Sequence, residues 1–139
     1  MSQKKDLALM GLAEAAQAVA RGRVSAQALT EACLAQIEEW QPRVNAFLKL
    51  EAAAALKAAK AVDRARKRGA KLGRLAGVPL AHKDMYYRAG KETSCGSAIR
   101  RHWKATETST ALERLDAEGA LDLGRLNMAE FAFGPTGHN

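Results

Sequence analysis

Aromatic residues and cysteines are scarce in this sequence. Aromatic side chains make up 5% of its 139 residues, whereas hydrophobic residues make up 47%, and much of that share is alanine. Such a composition predicts a thin core for a chain whose length is within the single-domain range. Cys33 and Cys95 are too few and too far apart for a disulfide framework, and there is no C-x-x-C motif. We therefore expect reduced thiols and a cytoplasmic protein.

Long apolar runs and clustered metal ligands are also missing from the sequence. No stretch is long enough and apolar enough to cross a membrane, so we expect no membrane partner. The three histidines, His82, His102 and His138, are scattered, and no H-E-x-x-H motif is present. Metal sites need ligands at closer and more regular spacing, so the sequence predicts no metal site.

Negative charge is outnumbered, with 15 Asp and Glu against 22 Lys and Arg, for a net charge of +7. Seven of the cations lie between Lys57 and Lys71. A basic stretch favours contact with nucleic acid or an acidic surface, but no aromatic residues interleave with this one to stack on bases. We interpret it as a solvated helix face and do not expect a nucleic-acid partner. The alternative is a non-catalytic basic helical module that binds nucleic acid or an acidic partner.

The N-terminal half has the patterns of three helices. Residues 6–21 predict an amphipathic helix, and Ser25 is a good N-cap for a second helix that should end before Pro42. After a short extended piece at 44–48, an alanine-rich helix is expected over 51–68, with a glycine just after its end. The predicted inner stripes are Leu9, Leu12, Ala16 and Val19 in the first helix and Leu29, Cys33, Ile37 and Trp40 in the second.

The segment Leu75–Asp84 runs an apolar stretch directly into a lysine and an aspartate. It predicts a short buried strand that places Lys83 where a sheet meets a cleft. Desolvation there would favour a neutral amine that can act as a base, although a lysine can also reach solvent from an ordinary strand end. A helix at about 109–118 and a strand at 120–123 follow, so the class is α/β. Asp122 in that second strand needs a partner.

Several ordered blocks in the C-terminal half resemble the amidase signature family. They are L-x-G-V-P-L-x-x-K-D ending at Asp84, the Gly96-Ser97 step, a helix ending in A-x-G-A, and L-G-R-x-N-M-x-E-F-A-x-G ending at Gly134. The resemblance implies the N-terminal helices and first strands of a mixed-sheet α/β/α fold. In that arrangement residues 1–72 are a helical cap region and residues 73–139 begin the catalytic core of a single, incomplete amidase domain.

The same resemblance implies an activity and a role for Lys83. The family hydrolyses a carboxylic amide to acid and ammonia through a Ser-Ser-Lys triad, without metal or organic cofactor, and Lys83 would be the base. The nucleophilic and bridging serines belong to a Gly/Ser-rich segment that this sequence does not contain, so we expect the isolated chain to be inactive. The substrate would be a small-molecule amide, and a glutaminase-type subunit of a tRNA-dependent amidotransferase is an alternative. A homo-oligomer or a complementing C-terminal chain remains open.

Asp84 follows the strand, where an aspartate often caps the next turn, and we interpret it as a residue that supports the site without touching substrate. By the same resemblance, Asn127, Met128, Phe133 and Gly134 would line the substrate pocket. The alternative for that last segment is a short amphipathic helix whose methionine and phenylalanines lie in the core. Ser97 follows a glycine in a loop, and we interpret it as part of a turn and not as the nucleophile.

Overall fold

The computed structural model describes residues 7–138, which form four α-helices and one three-stranded mixed sheet. Two short 3₁₀ turns, at Ala98–Arg100 and Glu130–Ala132, lie in the C-terminal half. The α/β class predicted from the sequence is confirmed. The elements are α1 (Leu12–Ala20), α2 (Ala26–Val44), β1 (Phe47–Leu50), α3 (Ala52–Lys67), β2 (Pro79–Lys83), α4 (Thr110–Ala117) and β3 (Leu121–Leu126).

Strand β3 lies at the centre of the sheet, antiparallel to β1 and parallel to β2. The parallel pairing begins with Pro79 opposite Leu121 and ends with Lys83 opposite Leu126. Gly124 has a φ of +136°, and a Cβ at this position would lie 2.0 Å from the backbone oxygen of Lys49. The close approach of β1 to β3 therefore requires glycine.

The core is built from small side chains where α1, α2, α3 and β3 meet. Val19 and Ala59 are fully buried, and Leu29 and Leu121 are 2% and 4% exposed. Alanines at the contacts let the helices approach one another and the sheet closely. The expected thin, alanine-rich core is thus present, and it includes Val19 and Leu29 from the predicted inner stripes.

The predicted inner stripe of the first helix is right at Val19, which is fully buried, but wrong at its two leucines. Leu9 is 78% exposed and Leu12 is 54% exposed, whereas the buried positions of α1 are Ala15, Ala18 and Val19. Leu9 lies before α1 begins, and the side chains of α1 that join the core cluster with α2, α3 and β3 are those of Ala15 and Val19. The predicted helix began at residue 6, which lies outside the described residues.

The expected end of the second helix before Pro42 is also wrong, because α2 continues to Val44. Pro42 cannot donate to the Glu38 carbonyl and its ring crowds that carbonyl, but only Arg43 and Val44 follow it in α2, so the disturbance is confined to the last turn. Gln41 holds the turn that follows: its side chain donates to the Phe47 carbonyl at 2.8 Å and accepts from the Phe47 N–H at 2.9 Å. Consequently β1 begins at residue 47, later than expected, and Trp40 is 46% exposed.

The start of α2 matches the prediction and is tied to α3. Ser25 Oγ accepts a hydrogen bond from the Ala28 N–H at 3.0 Å, as expected of an N-cap. The carboxylate of Asp63 in α3 accepts two more, from the Ala26 and Gln27 N–H groups at 2.9 and 3.0 Å. A negative charge at a helix N-terminus is favourable, so Asp63 fastens the two helices together. Within residues 7–138 no helix combines the length and the hydropathy that a membrane span needs.

Candidate functional site

Lys83 lies at the carboxyl end of β2, beside the carboxyl end of the parallel strand β3. Because these two strand ends meet at one edge of the sheet, Lys83 and the segment after β3 come together there. They line an open cleft of about 530 Å³, with Asn127, Met128 and Gly134 on the wall opposite Asn45. Three of the four residues expected to line a substrate pocket therefore share a cleft with Lys83.

The side chain of Lys83 is half-buried and unengaged. Among the described residues 7–138, no hydrogen-bond or ion-pair partner holds its amine. Its backbone, in contrast, is fixed by the pairing with β3 and by the Tyr86 N–H, which donates to the Lys83 carbonyl at 3.0 Å. A fixed backbone that carries a free amine into a cleft suits a group that acts on a ligand.

Asn127 shapes the cleft by holding the turn before β1 against the end of β3. Its N–H donates to the Ala46 carbonyl at 2.7 Å, and its Nδ2 donates to the Asn45 carbonyl at 3.2 Å. Its Oδ1 accepts from the N–H of Met128 at 2.9 Å, and Met128 is 4% exposed. Both residues therefore build the wall of the cleft.

Phe133 differs from the other three residues that were expected to line a substrate pocket. It is 94% exposed and does not line the cleft, whereas Gly134 does. The alternative of an amphipathic helix with both phenylalanines in the core is not what the structure has, since a single 3₁₀ turn is present and Phe131 is 46% exposed. Positive φ angles at Phe131 and Ala132 turn the chain away from a helical path.

Asp84 is almost fully buried and joins three parts of the fold. Its carboxylate accepts hydrogen bonds from the N–H and the hydroxyl of Ser94, the former at 2.9 Å. Arg125 of β3 forms an ion pair with the same carboxylate at 3.4 Å, without the geometry of a hydrogen bond. Arg125 also donates to the Glu92 carbonyl. Asp84 and Arg125 thereby fix the loop around residues 92–97 to the sheet.

A second open cleft of about 490 Å³ lies beside this network and includes Asp84, Arg125 and Ser97, while Asn127 lines both clefts. The Ser97 hydroxyl donates to Glu130 at 2.5 Å, so Ser97 has a structural partner. Sequence reasoning missed Arg125 and Glu130. The available signal was a charge inside an apolar strand, which needs a partner when buried.

His82 and Lys83 line different clefts, because consecutive residues of a strand point to opposite faces of the sheet. The His82 Nε2 lies 3.6 Å from Asp122, beside a small cavity of about 100 Å³. Arg88 is 2.9 Å from Asp122 and also pairs with Asp116 at 2.7 Å. Burial alone would raise the pKa of Asp122, but the nearby His82 and Arg88 outweigh it and hold that pKa below its ordinary value. The partner that Asp122 needed is thus a pair of basic side chains.

The described residues offer no metal centre. Within residues 7–138 no three His, Cys, Asp or Glu side chains are grouped in a way that could hold an ion. The polar side chains that line the Lys83 cleft are the amine of Lys83 and the amides of Asn45 and Asn127.

Comparison with known proteins identifies relatives of this chain. A family model described as amidase matches residues 28–139. The glutamyl-tRNA(Gln) amidotransferase A subunit of Pseudomonas fluorescens is 44% identical over 125 residues, which are 90% of this chain and 26% of that protein. The corresponding protein of Salinispora arenicola is 46% identical over 129 residues, 93% of this chain and 26% of its own length. The chain spans about a quarter of the length of the curated relatives it matches.

Solved structures show the same fold over the same portion. The peptide amidase of Stenotrophomonas maltophilia superposes with a TM-score of 0.83 at 30% identity, over 96% of this chain and 28% of that one. A bacterial aryl acylamidase of the amidase signature family superposes with a TM-score of 0.88 at 26% identity, also over 96% and 28%.

Proposed function

The chain belongs to the amidase family, and we propose that Lys83 is the catalytic base of a hydrolase that cleaves the C–N bond of a carboxylic amide. The observation that carries the proposal is the free amine of Lys83 at a strand end, in a cleft shared with Asn127, Met128 and Gly134. No other lysine in the described part of the chain lines that cleft.

The reaction needs a nucleophile, a base and an acid for the leaving amine. We assign the nucleophile to a serine and place a second, bridging serine between it and Lys83, as the family resemblance implies. The neutral amine of Lys83 takes a proton from the bridging serine, which takes one from the nucleophile as it attacks the amide carbon. The protonated amine then returns a proton to the departing nitrogen, which leaves as ammonia.

In this proposal the two serines come from polypeptide outside the described residues, either from a continuing chain or from a complementing one. The chain spans about a quarter of the length of its relatives. This supports a site built partly by this chain and partly by another polypeptide segment. The chain alone would then release no ammonia. Asp84 would act indirectly, by fixing the loop beside the strand end that carries Lys83.

A second function within the same chemistry is a glutaminase-type subunit of a tRNA-dependent amidotransferase. The names of the relatives favour it, since proteins 44% and 46% identical to this chain are amidotransferase subunits. The substrate would then be glutamine, and the released ammonia would be used elsewhere in the assembly. The features of the Lys83 cleft are equally compatible with a free amidase that acts on another small amide.

A chimera tests the proposal. This chain would replace the matching quarter of the Pseudomonas fluorescens protein, and ammonia release from glutamine would be measured in the assembled enzyme. Loss of a general base costs about 10²–10⁴ in rate, so Lys83→Met should reduce turnover by that factor. Lys49→Met, a change at an exposed lysine of β1, is the matched control and should leave turnover unchanged. Full activity of the Lys83→Met chimera, or ammonia release by the chain alone, would contradict the proposal.

A further inference from the structure

An exposed basic surface covers one side of α3 and the turn before α2. Lys57, Lys60, Arg64 and Lys67 follow one another at spacings of three and four residues, which places them in one stripe along the helix. All four are exposed, as are Arg21 and Arg23 in the neighbouring turn. We use the term basic surface for these six residues.

The turn and the helix form one continuous face. A Cβ added at Gly22 would lie 2.2 Å from the Arg66 guanidinium, so the 21–23 turn rests directly on α3. Below the turn, Lys60, Arg64 and Lys67 surround an open concavity of about 370 Å³ that reaches the start of α2. These cations therefore line one common concavity.

The charges of the basic surface are not neutralised. Within residues 7–138 none of its six cations forms an ion pair or a side-chain hydrogen bond. The one acidic residue among them, Asp63, has both carboxylate oxygens engaged by backbone N–H groups of α2. Folding has thus gathered six cations on one face against the single negative charge of Asp63, and an anionic partner would compensate the excess positive charge.

The chemistry of the surface selects among anionic partners. Protein interfaces have an apolar centre and are depleted of lysine, but the exposed residues between these cations on α3 are alanines, which form no large apolar centre. Binding to a membrane surface needs large apolar side chains to insert, and the stripe has none. Lysine and arginine without aromatic neighbours suit phosphates and do not suit stacking on single-stranded bases.

We propose that the basic surface binds the phosphate backbone of a duplex nucleic acid, independently of base sequence. The inner side of α3 is packed on α2 and β3, so the helix lies across the backbone and does not enter a groove. The stripe from residue 57 to residue 67 is about 15 Å long at 1.5 Å per residue, which is enough for about four phosphate contacts. This function is separate from the Lys83 cleft and does not depend on the amidase proposal.

Fluorescence anisotropy with a labelled 20-base-pair duplex tests the proposal on the chain as it stands, with RNA and DNA versions of one sequence. Four phosphate contacts predict a slope of about −3.6 for log K against log salt, which is about a hundredfold loss of affinity between 50 and 200 mM. In the triple variant Lys60→Gln, Arg64→Gln, Lys67→Gln, the slope should fall to about −1. The loss of affinity between 50 and 200 mM salt should then be about threefold. Lys60→Arg with Lys67→Arg should keep the parent slope.

The matched control removes the same charge elsewhere. Lys49→Gln, Lys104→Gln, Arg114→Gln alters three exposed cations outside the basic surface and should keep the parent slope, while circular dichroism checks that both triple variants are folded. Equal slopes for the two triple variants would show that net charge alone binds, and would overturn the proposal. Tighter binding to polyglutamate than to the duplexes, or a preference above tenfold for RNA or DNA, would also overturn it.

Discussion

The buried carboxylate of Asp84 provides the sharpest test of how this fold holds its candidate site. Asp84 is 1% exposed, accepts two hydrogen bonds from Ser94 and forms an ion pair with Arg125. Replacing it with alanine removes all three interactions at once and leaves the Arg125 charge, whose side chain is 13% exposed, without its partner. The loop that carries Ser94 would keep the backbone hydrogen bond from the Cys95 N–H to the carbonyl of residue 84, at 3.1 Å, but would lose its side-chain attachment to the end of β2.

The size of the effect follows from the kinds of interaction lost. A hydrogen bond to a charged group contributes about 1.5–3 kcal/mol, and removing one partner of a buried ion pair costs about 3–5 kcal/mol. We expect Asp84→Ala to lower the free energy of unfolding by about 4 kcal/mol. Asp84→Asn keeps an acceptor for the Ser94 N–H but loses the charge and turns the other acceptor oxygen, which faces Arg125, into a donor, so about 2 kcal/mol is expected.

Urea unfolding followed by circular dichroism measures these changes, with m-values compared so that altered compactness is recognised. Arg125→Met and its combination with Asp84→Asn complete a double-mutant cycle, in which we expect a coupling energy of about 1–2 kcal/mol. Glu113→Gln, at an exposed carboxylate of α4, is the control and should change stability by less than about 0.5 kcal/mol. A zero coupling energy, or an Asp84→Ala effect as small as the control, would refute the network.

Three further predictions concern other parts of the molecule. Gly124→Ala should cost about 3 kcal/mol or more, because the strained φ adds to a clash with Lys49, whereas Gly134→Ala, with open space around it, should be neutral in the same urea titration. The pKa of Asp122 is lowered in the fold, so its stabilisation is present above about pH 4 and is lost as the pH falls through the folded value. Asp122→Asn should therefore cost about 2 kcal/mol at pH 7 and progressively less below pH 4. Burial raises the pKa of the Cys33 thiol, so in a Cys95→Ser variant alkylation at pH 8 should be slow in the folded chain and fast in urea.

The features that could be predicted from the sequence are those set by local chemistry. Ser25 begins α2 because its hydroxyl satisfies a free N–H, and Gly69 follows α3 with a φ of +73° because glycine tolerates that conformation. The strand that ends at Lys83 could be predicted because an apolar run is followed directly by a lysine and an aspartate. Each of these inferences needed information from only a few neighbouring residues.

The features that could not be predicted depend on contacts between distant segments. Local rules ended α2 at Pro42, but the side chain of Gln41 reaches Phe47 and stabilises a longer helix. Arg125 and Asp84 are far apart in the sequence, and nothing in either neighbourhood specifies the other. The two leucines of the predicted inner stripe were misjudged because the way α1 packs on α2, α3 and β3, and not hydrophobicity alone, decides which side chains face the core.

Lys83 is held from both sides by strand β3 while its own side chain stays free. The preceding residue, His82, faces Asp122 of β3, and the following residue, Asp84, pairs with Arg125 of β3. A slip of β2 by one residue would turn every side chain to the opposite face and break both contacts, so the two charge pairs fix the register. Two charged anchors therefore fix the backbone on either side of Lys83 and leave its amine unengaged, as the proposed role of Lys83 as a base requires.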